Sequence, residues 1–212
     1  MPNTVVLATL HINTPEDQQK VKDQLAQLIP KVKEESGSLS YYWFQSDNSD
    51  DNNLYAFEQY ASVEALQAHS SDPALQQAVA QFKDTFTQAP ETHVYEVVSG
   101  FVSKAGLNDA RFIWLTTLRT EQREFVLERL DELTKEVEKS PDALSYAVLK
   151  NLRDPEEIVV FERYTTDEAL HDVHEKSSIY KSGFSIRASF GQLINKRKGE
   201  GYSESNLGFI SK

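Results

Sequence analysis

Few side chains in this 212-residue chain can move a proton near neutral pH, and His69 stands in the most telling place. It follows Ser62-Val63-Glu64-Ala65-Leu66, where the serine is an N-cap type and opens a short helix that runs through Leu66 and His69. An imidazole there can accept a proton, or it can simply hydrogen-bond a carbonyl at the helix end. Tyr41 and Tyr146 lie in strand-like segments, where a phenol either serves a site or is a core side chain with a bonded hydroxyl. Glu58 and Glu162 interrupt apolar runs; each is a base of raised pKa or half of a structural ion pair. His171 and His174 are three apart and could share a helix face, but no third ligand is evident, so no metal is expected. His11 and Arg119, each ending a strand-like run, could meet an anion or simply be exposed.

These candidates come in pairs because the chain repeats itself about 105 residues on. Leu39-Ser40-Tyr41 returns as Leu144-Ser145-Tyr146, and Phe57-Glu58-Gln59-Tyr60 as Phe161-Glu162-Arg163-Tyr164. Glu64-Ala65-Leu66 returns as Glu168-Ala169-Leu170, and Gly100-Phe101-Val102-Ser103-Lys104 as Gly208-Phe209-Ile210-Ser211-Lys212. A period this long is a small domain, since solenoid units run to roughly 20–50 residues. Two domains are expected, 1–105 and 106–212. Small indels change the offset along the chain, and the largest is assigned to the charged, glycine-bearing stretch 196–205, expected to be an exposed excursion. The second copy also places its histidine one residue late, at His174, which turns that side chain by about 100° on a helix.

The elements that must hold these residues are legible in each copy. Val5 to Ile12 is a β-branched apolar run, a buried strand. Thr14-Pro15-Glu16-Asp17 supplies an N-cap, a first-turn proline and acids for the positive helix end. Val21, Leu25, Leu28 and Val32 then form one apolar stripe, repeated by Val126, Leu130, Leu133 and Val137. Strands follow at 38–45 and 54–60, then the His69 helix, and a further helix whose stripe is Leu75, Val79, Phe82 and Phe86. A fourth strand is read at 93–98, and Phe101-Val102 as a candidate fifth. The order β-α-β-β-α-β is the ferredoxin-like plan, α+β in class. Helices cover one face of such a sheet, so the two copies are expected to pack sheet to sheet as an intrachain pseudo-dimeric α/β barrel.

Composition bounds the partners. Net charge is −11 and the sequence pI about 4.9, so nucleic acid and anionic membranes are not expected partners. Without cysteine there is no disulfide, thiolate metal site or cysteine nucleophile. Met1-Pro2-Asn3-Thr4 lacks a basic start and no apolar span is read, so a cytoplasmic protein is expected.

The run Gly37-Ser38-Leu39-Ser40-Tyr41, then Phe57-Glu58-Gln59-Tyr60 and Ser62-x-Glu64-Ala65-Leu66-x-x-His69, resembles the antibiotic biosynthesis monooxygenase family. The resemblance covers nearly the whole chain as two tandem copies. It implies a pocket between each copy's sheet and helices, dioxygen as co-substrate, and a small apolar or aromatic substrate deprotonated without any cofactor. It casts His69 and Tyr41 as catalytic, and Tyr42, Trp43, Tyr55, Phe57, Trp114, Tyr146 and His174 as substrate-binding. Leu39, Tyr41 and Trp43 share one strand face and Ser40, Tyr42 and Phe44 the other, and which face lines the pocket is left open. Copy one keeps Tyr42, Trp43 and Tyr55 where copy two has Ala147, Val148 and Val159, so copy one is read as the more site-like. Alternatives are a non-catalytic binder of hydrophobic ligands and, less favoured, haem binding or degradation. That branch uses a strand-one asparagine and a ligand histidine about ten residues after the His69 position, where this chain has Val79. A further homodimer is left open.

Overall fold

The computed structural model describes residues 3–104, 110–176 and 196–212, the side chains of 174–176 and 196–197 excepted. They form two compact units, Met1–Tyr95 with Ser203–Lys212, and Glu96–Tyr202. These units are a different division from the sequence repeat, whose copies meet near residue 105. Two strands cross from one unit to the other.

Unit 1 runs β1 (Thr4–Leu10), α1 (Pro15–Glu34), β2 (Ser38–Ser46), β3 (Leu54–Tyr60), α2 (Val63–Ser70), α3 (Pro73–Gln81) and the start of β4 (Glu91–Phe101). Its strands lie in the order β4-β1-β3-β2, followed by the end of a strand from the C-terminus. The antiparallel register sets Val6 opposite Glu58 and Tyr41 opposite Glu58, so these three share a face. Thr14 caps α1 by accepting the Asp17 amide at 3.1 Å. Val21, Leu25 and Val32 of α1 are buried on the sheet among Val6, Tyr41, Trp43 and Tyr60. The expected helix through Phe86 stops short: α3 ends at Gln81, a 3₁₀ turn follows at Lys83–Thr85, and Phe86 bridges Ile12 in extended backbone. A tight turn brings Phe82 and Phe86 together as well as a helix would, with ring centroids 6.3 Å apart. The 93–98 strand and the candidate fifth are likewise one strand, β4, bent at Gly100 where φ is +97°.

Unit 2 runs β5 (Phe112–Arg119), α4 (Arg123–Val137), β6 (Ala143–Asn151), β7 (Glu157–Tyr164), α5 (Asp167–Lys176) and the start of β8 (Lys196–Phe209). The α4 stripe Val126, Leu130, Leu133 and Val137 is buried, as its spacing predicts. The 196–205 stretch is not an exposed excursion: it belongs to β8 and pairs antiparallel with β5 from Arg119↔Lys196 to Ile113↔Tyr202. Its glycines read as loop, yet they make room for rings, since a Cβ on Gly199 would fall 2.5 Å from the Trp114 indole.

Each crossing strand finishes beside the second strand of its new unit. In unit 1, Ser205 Oγ donates to the Trp43 carbonyl and Ser40 Oγ to the Ile210 carbonyl, both at 2.5 Å. In unit 2, Ser145 Oγ donates to the Val102 carbonyl at 2.5 Å, and Lys150 pairs with Glu96 at 3.0 Å. Among the described residues no helix is long and apolar enough to cross a membrane.

Candidate functional site

Unit 1 holds a cavity of about 570 Å³ between its sheet and the α2–α3 pair. Val6 and Leu10 of β1, Leu66 of α2, Leu75, Val79 and Ala80 of α3, and Pro90 and Val94 on the β4 side make its apolar wall. Tyr41, Glu58, His69, Ser70, Gln76 and Thr92 are its polar members. No lysine or arginine lines it among the described residues.

His69 reaches the wall from the last turn of α2, a helix started by Ser62, whose hydroxyl accepts the Ala65 amide at 3.3 Å. It is 5% exposed. Its Nδ1 lies 2.9 and 3.2 Å from the two carboxylate oxygens of Glu35, the first residue beyond α1. The imidazole is flanked by two phenols, with ring centroids 5.6 Å from Tyr41 and 5.2 Å from Tyr60. Tyr60 donates its hydroxyl to Glu58 at 2.7 Å.

Burial sets the charge states here. It raises the Glu58 carboxyl above the usual carboxylate range, with Glu35 adding to the rise, while His69 and the Tyr60 hydrogen bond pull it partly back. Burial, then the Glu58 charge, pushes the Tyr41 and Tyr60 hydroxyls far up, so both phenols stay neutral donors. A carboxyl raised on folding gives its full stability below the ordinary carboxylate range and loses it as pH climbs through the folded-state value. Glu58→Gln, shaped like the neutral acid, should therefore gain in melting temperature over the wild type as pH rises from the ordinary carboxylate range through the folded-state value. Thermal melts across that range check this; a constant difference would mean that ionising Glu58 costs the fold nothing.

Copy two keeps part of this arrangement. Tyr164 donates to Glu162 at 2.5 Å, and Tyr146 is buried nearby in the same core. Three of the positions that differ bear on the imidazole and the wall beside it. Trp114 replaces Val6 and lies against Gly199 and Gly201. Val173 holds the His69 position, buried with Ala169 and Leu170. Ser140 holds the Glu35 position, an equivalence that the backbone confirms: Lys212 Nζ donates to the Glu35 carbonyl, and Lys104 Nζ to the Ser140 carbonyl.

Of the residues singled out from sequence, Tyr41 and His69 meet in the cavity wall. Trp43 shares their face and packs edge-on to Tyr41 at 5.6 Å, but is not part of the wall. Tyr42, Tyr55 and Phe57 lie on the other sheet face, where Tyr42 opposes Phe57 and Tyr55 stacks on Phe44 at 5.9 Å. Trp114 and Tyr146 are in the unit 2 core, and the His174 side chain lies outside the described residues. His11 faces Glu91 at 3.5 Å, and Arg119 is engaged by Asp154, Glu156 and Glu157. No three His, Cys, Asp or Glu among the described residues are placed to hold a metal. Sequence reasoning missed Glu35. Comparing the copies position by position would have found it, since Glu35 and His69 change together.

The sequence matches the antibiotic biosynthesis monooxygenase family over residues 4–81 and 114–184, once in each copy. Among solved structures, a candidate monooxygenase of Fusobacterium nucleatum superposes with a TM-score of 0.83 at 12% identity, over 99% of this chain and 95% of that one. One from Lactobacillus acidophilus gives 0.79 at 16%, over 100% and 98%. An anthrone oxidase-like protein gives 0.66 at 14%, over 100% and 95%. At these identities the likeness speaks for the fold, and no curated protein matches the sequence. With the family matched in both halves of a doubled ferredoxin-like chain, the protein belongs to the antibiotic biosynthesis monooxygenase family and carries two tandem copies of its domain.

Proposed function

We propose that the unit 1 cavity is a monooxygenase site that uses dioxygen, without a cofactor, on a small neutral aromatic carrying an acidic C–H or O–H group. The observation that carries this reading is a buried imidazole in the wall of a mostly apolar cavity, flanked by two neutral phenols. For an activated methylene, the substrate C–H bond breaks and its proton passes to His69. The carbanion's electrons go to dioxygen and a C–O bond forms, giving a peroxide. The peroxide takes up a proton and loses water, leaving a carbonyl; one oxygen atom ends in product and one in water. The Tyr41 hydroxyl in the same wall is a donor for developing negative charge. The absence of a cationic lining residue among those described favours a substrate that enters uncharged.

Anthrone, suggested by the description of one structural neighbour, is the first probe, with simple quinols beside it. Oxygen uptake by the wild type in a chelator, with one ¹⁸O atom incorporated per turnover, is the expected result. Binding of these probes with no oxygen uptake across the panel would make unit 1 a ligand binder and defeat the oxygenase reading.

A further inference from the structure

We infer that Glu35 is the positioning residue for His69, holding the imidazole with Nδ1 protonated so that Nε2 is the atom that takes the substrate proton. The inference rests on the reading of His69 as proton acceptor given above.

Nδ1 has both Glu35 carboxylate oxygens within 3.2 Å, and a carboxylate only accepts, so the neutral ring carries its hydrogen on Nδ1. That leaves the lone pair on Nε2, and it places the imidazolium formed by proton transfer against a fixed negative charge. The other groups facing the ring are Tyr41 from β2 and Tyr60 and Glu58 from β3, and the two phenols are neutral donors. Glu35 is thus the acceptor that fixes the tautomer. Its place is itself fixed: the backbone turns extended at Glu35 after α1, and Lys212 holds its carbonyl.

A purely structural role is a poor fit. The Glu35 side chain is 25% exposed, so water can solvate its carboxylate when the imidazole is removed. Copy two dispenses with both members at once, through Ser140 and Val173, while it keeps the buried Glu162–Tyr164 pair that matches Glu58–Tyr60. The fold therefore stands without the pair, and the two positions have changed as one.

The test reads the ring and the reaction separately. ¹⁵N NMR of the substrate-free full chain, with His69 assigned by comparison with His69→Val, should show the Nδ1–H tautomer in wild type and a shift towards Nε2–H in Glu35→Ala. Turnover in Glu35→Ala should fall about 10- to 100-fold, the range seen when partners that orient metal-bound histidines are removed, with KM changed by less than about threefold. Glu35→Asp should recover part of that loss. Glu35→Gln, which keeps the size, guards against a folding failure; it should melt like the wild type yet turn over more slowly. Wild-type tautomer and turnover in both Glu35→Ala and Glu35→Gln would overturn the inference. A correctly oriented imidazole in a wild type that takes up no oxygen would instead defeat the oxygenase reading and leave the positioning of His69 standing.

Discussion

Replacing His69 with valine is expected to lower oxygen-coupled turnover by about 10²- to 10⁴-fold, while substrate affinity changes by no more than about threefold. The range is that of a positioned general base, and the split follows from what the side chain does. An imidazole in an apolar wall adds little to the binding of a neutral aromatic ring, whereas in the proposed reaction it takes up the substrate proton. Valine is chosen because copy two carries it at this position, packed as Val173 beside Ala169 and Leu170. The abandoned Glu35 side chain, 25% exposed, can be solvated, so the fold should survive. Steady-state oxygen uptake and equilibrium titration of the same ligand, run on both proteins, give the two numbers. Equal loss in affinity and turnover would mean that His69 binds substrate and does not take its proton.

Gly208→Ala should be the most damaging single methyl group in unit 1. The backbone there has φ of +99°, a conformation that L side chains rarely adopt, and a Cβ would stand 1.9 Å from the Tyr41 carbonyl oxygen. The strained backbone and the forced retreat of β8 from β2 together should cost about 2–4 kcal/mol, or roughly 5–15 °C in melting temperature for a chain of this size. Gly100→Ala meets the same obstacle in unit 2, where the Cβ would be 1.9 Å from the Tyr146 carbonyl oxygen. The two variants should lose similar stability. They should differ at the site, because only Gly208 backs the strand that carries Tyr41. Melting temperatures within about 2 °C of wild type for both would show that the strand ends can give way without cost.

The doubling carried most of the fold. Stripes such as Val126, Leu130, Leu133 and Val137 are set by burial against a sheet, and burial writes itself into sequence as periodicity. The start of β8 escaped because Gly199 and Gly201 do their work by having no side chain under Trp114, a signal that only the opposite strand explains. Strand alternation separated Tyr41 from Tyr42, but which face met the helices depended on packing that no local pattern encodes. That is why Tyr42, Tyr55 and Phe57 were grouped with Tyr41 and the structure sets them on the opposite face. Glu35 looked like one of many acids past a helix end. It gained meaning only when α1 and α2 were brought together and His69 was found beside it.

We propose the unit 1 cavity as the place of reaction, and exchanging one residue between the copies tests this most directly. Val6→Trp puts an indole into a wall that includes Val94, Leu66 and Val79, with no glycine there to receive it. Oxygen uptake with the best substrate should then fall below detection, while the mirror exchange Trp114→Val leaves it within about twofold of wild type. Full activity in Val6→Trp, or its loss in Trp114→Val, would place the reaction elsewhere and contradict the account.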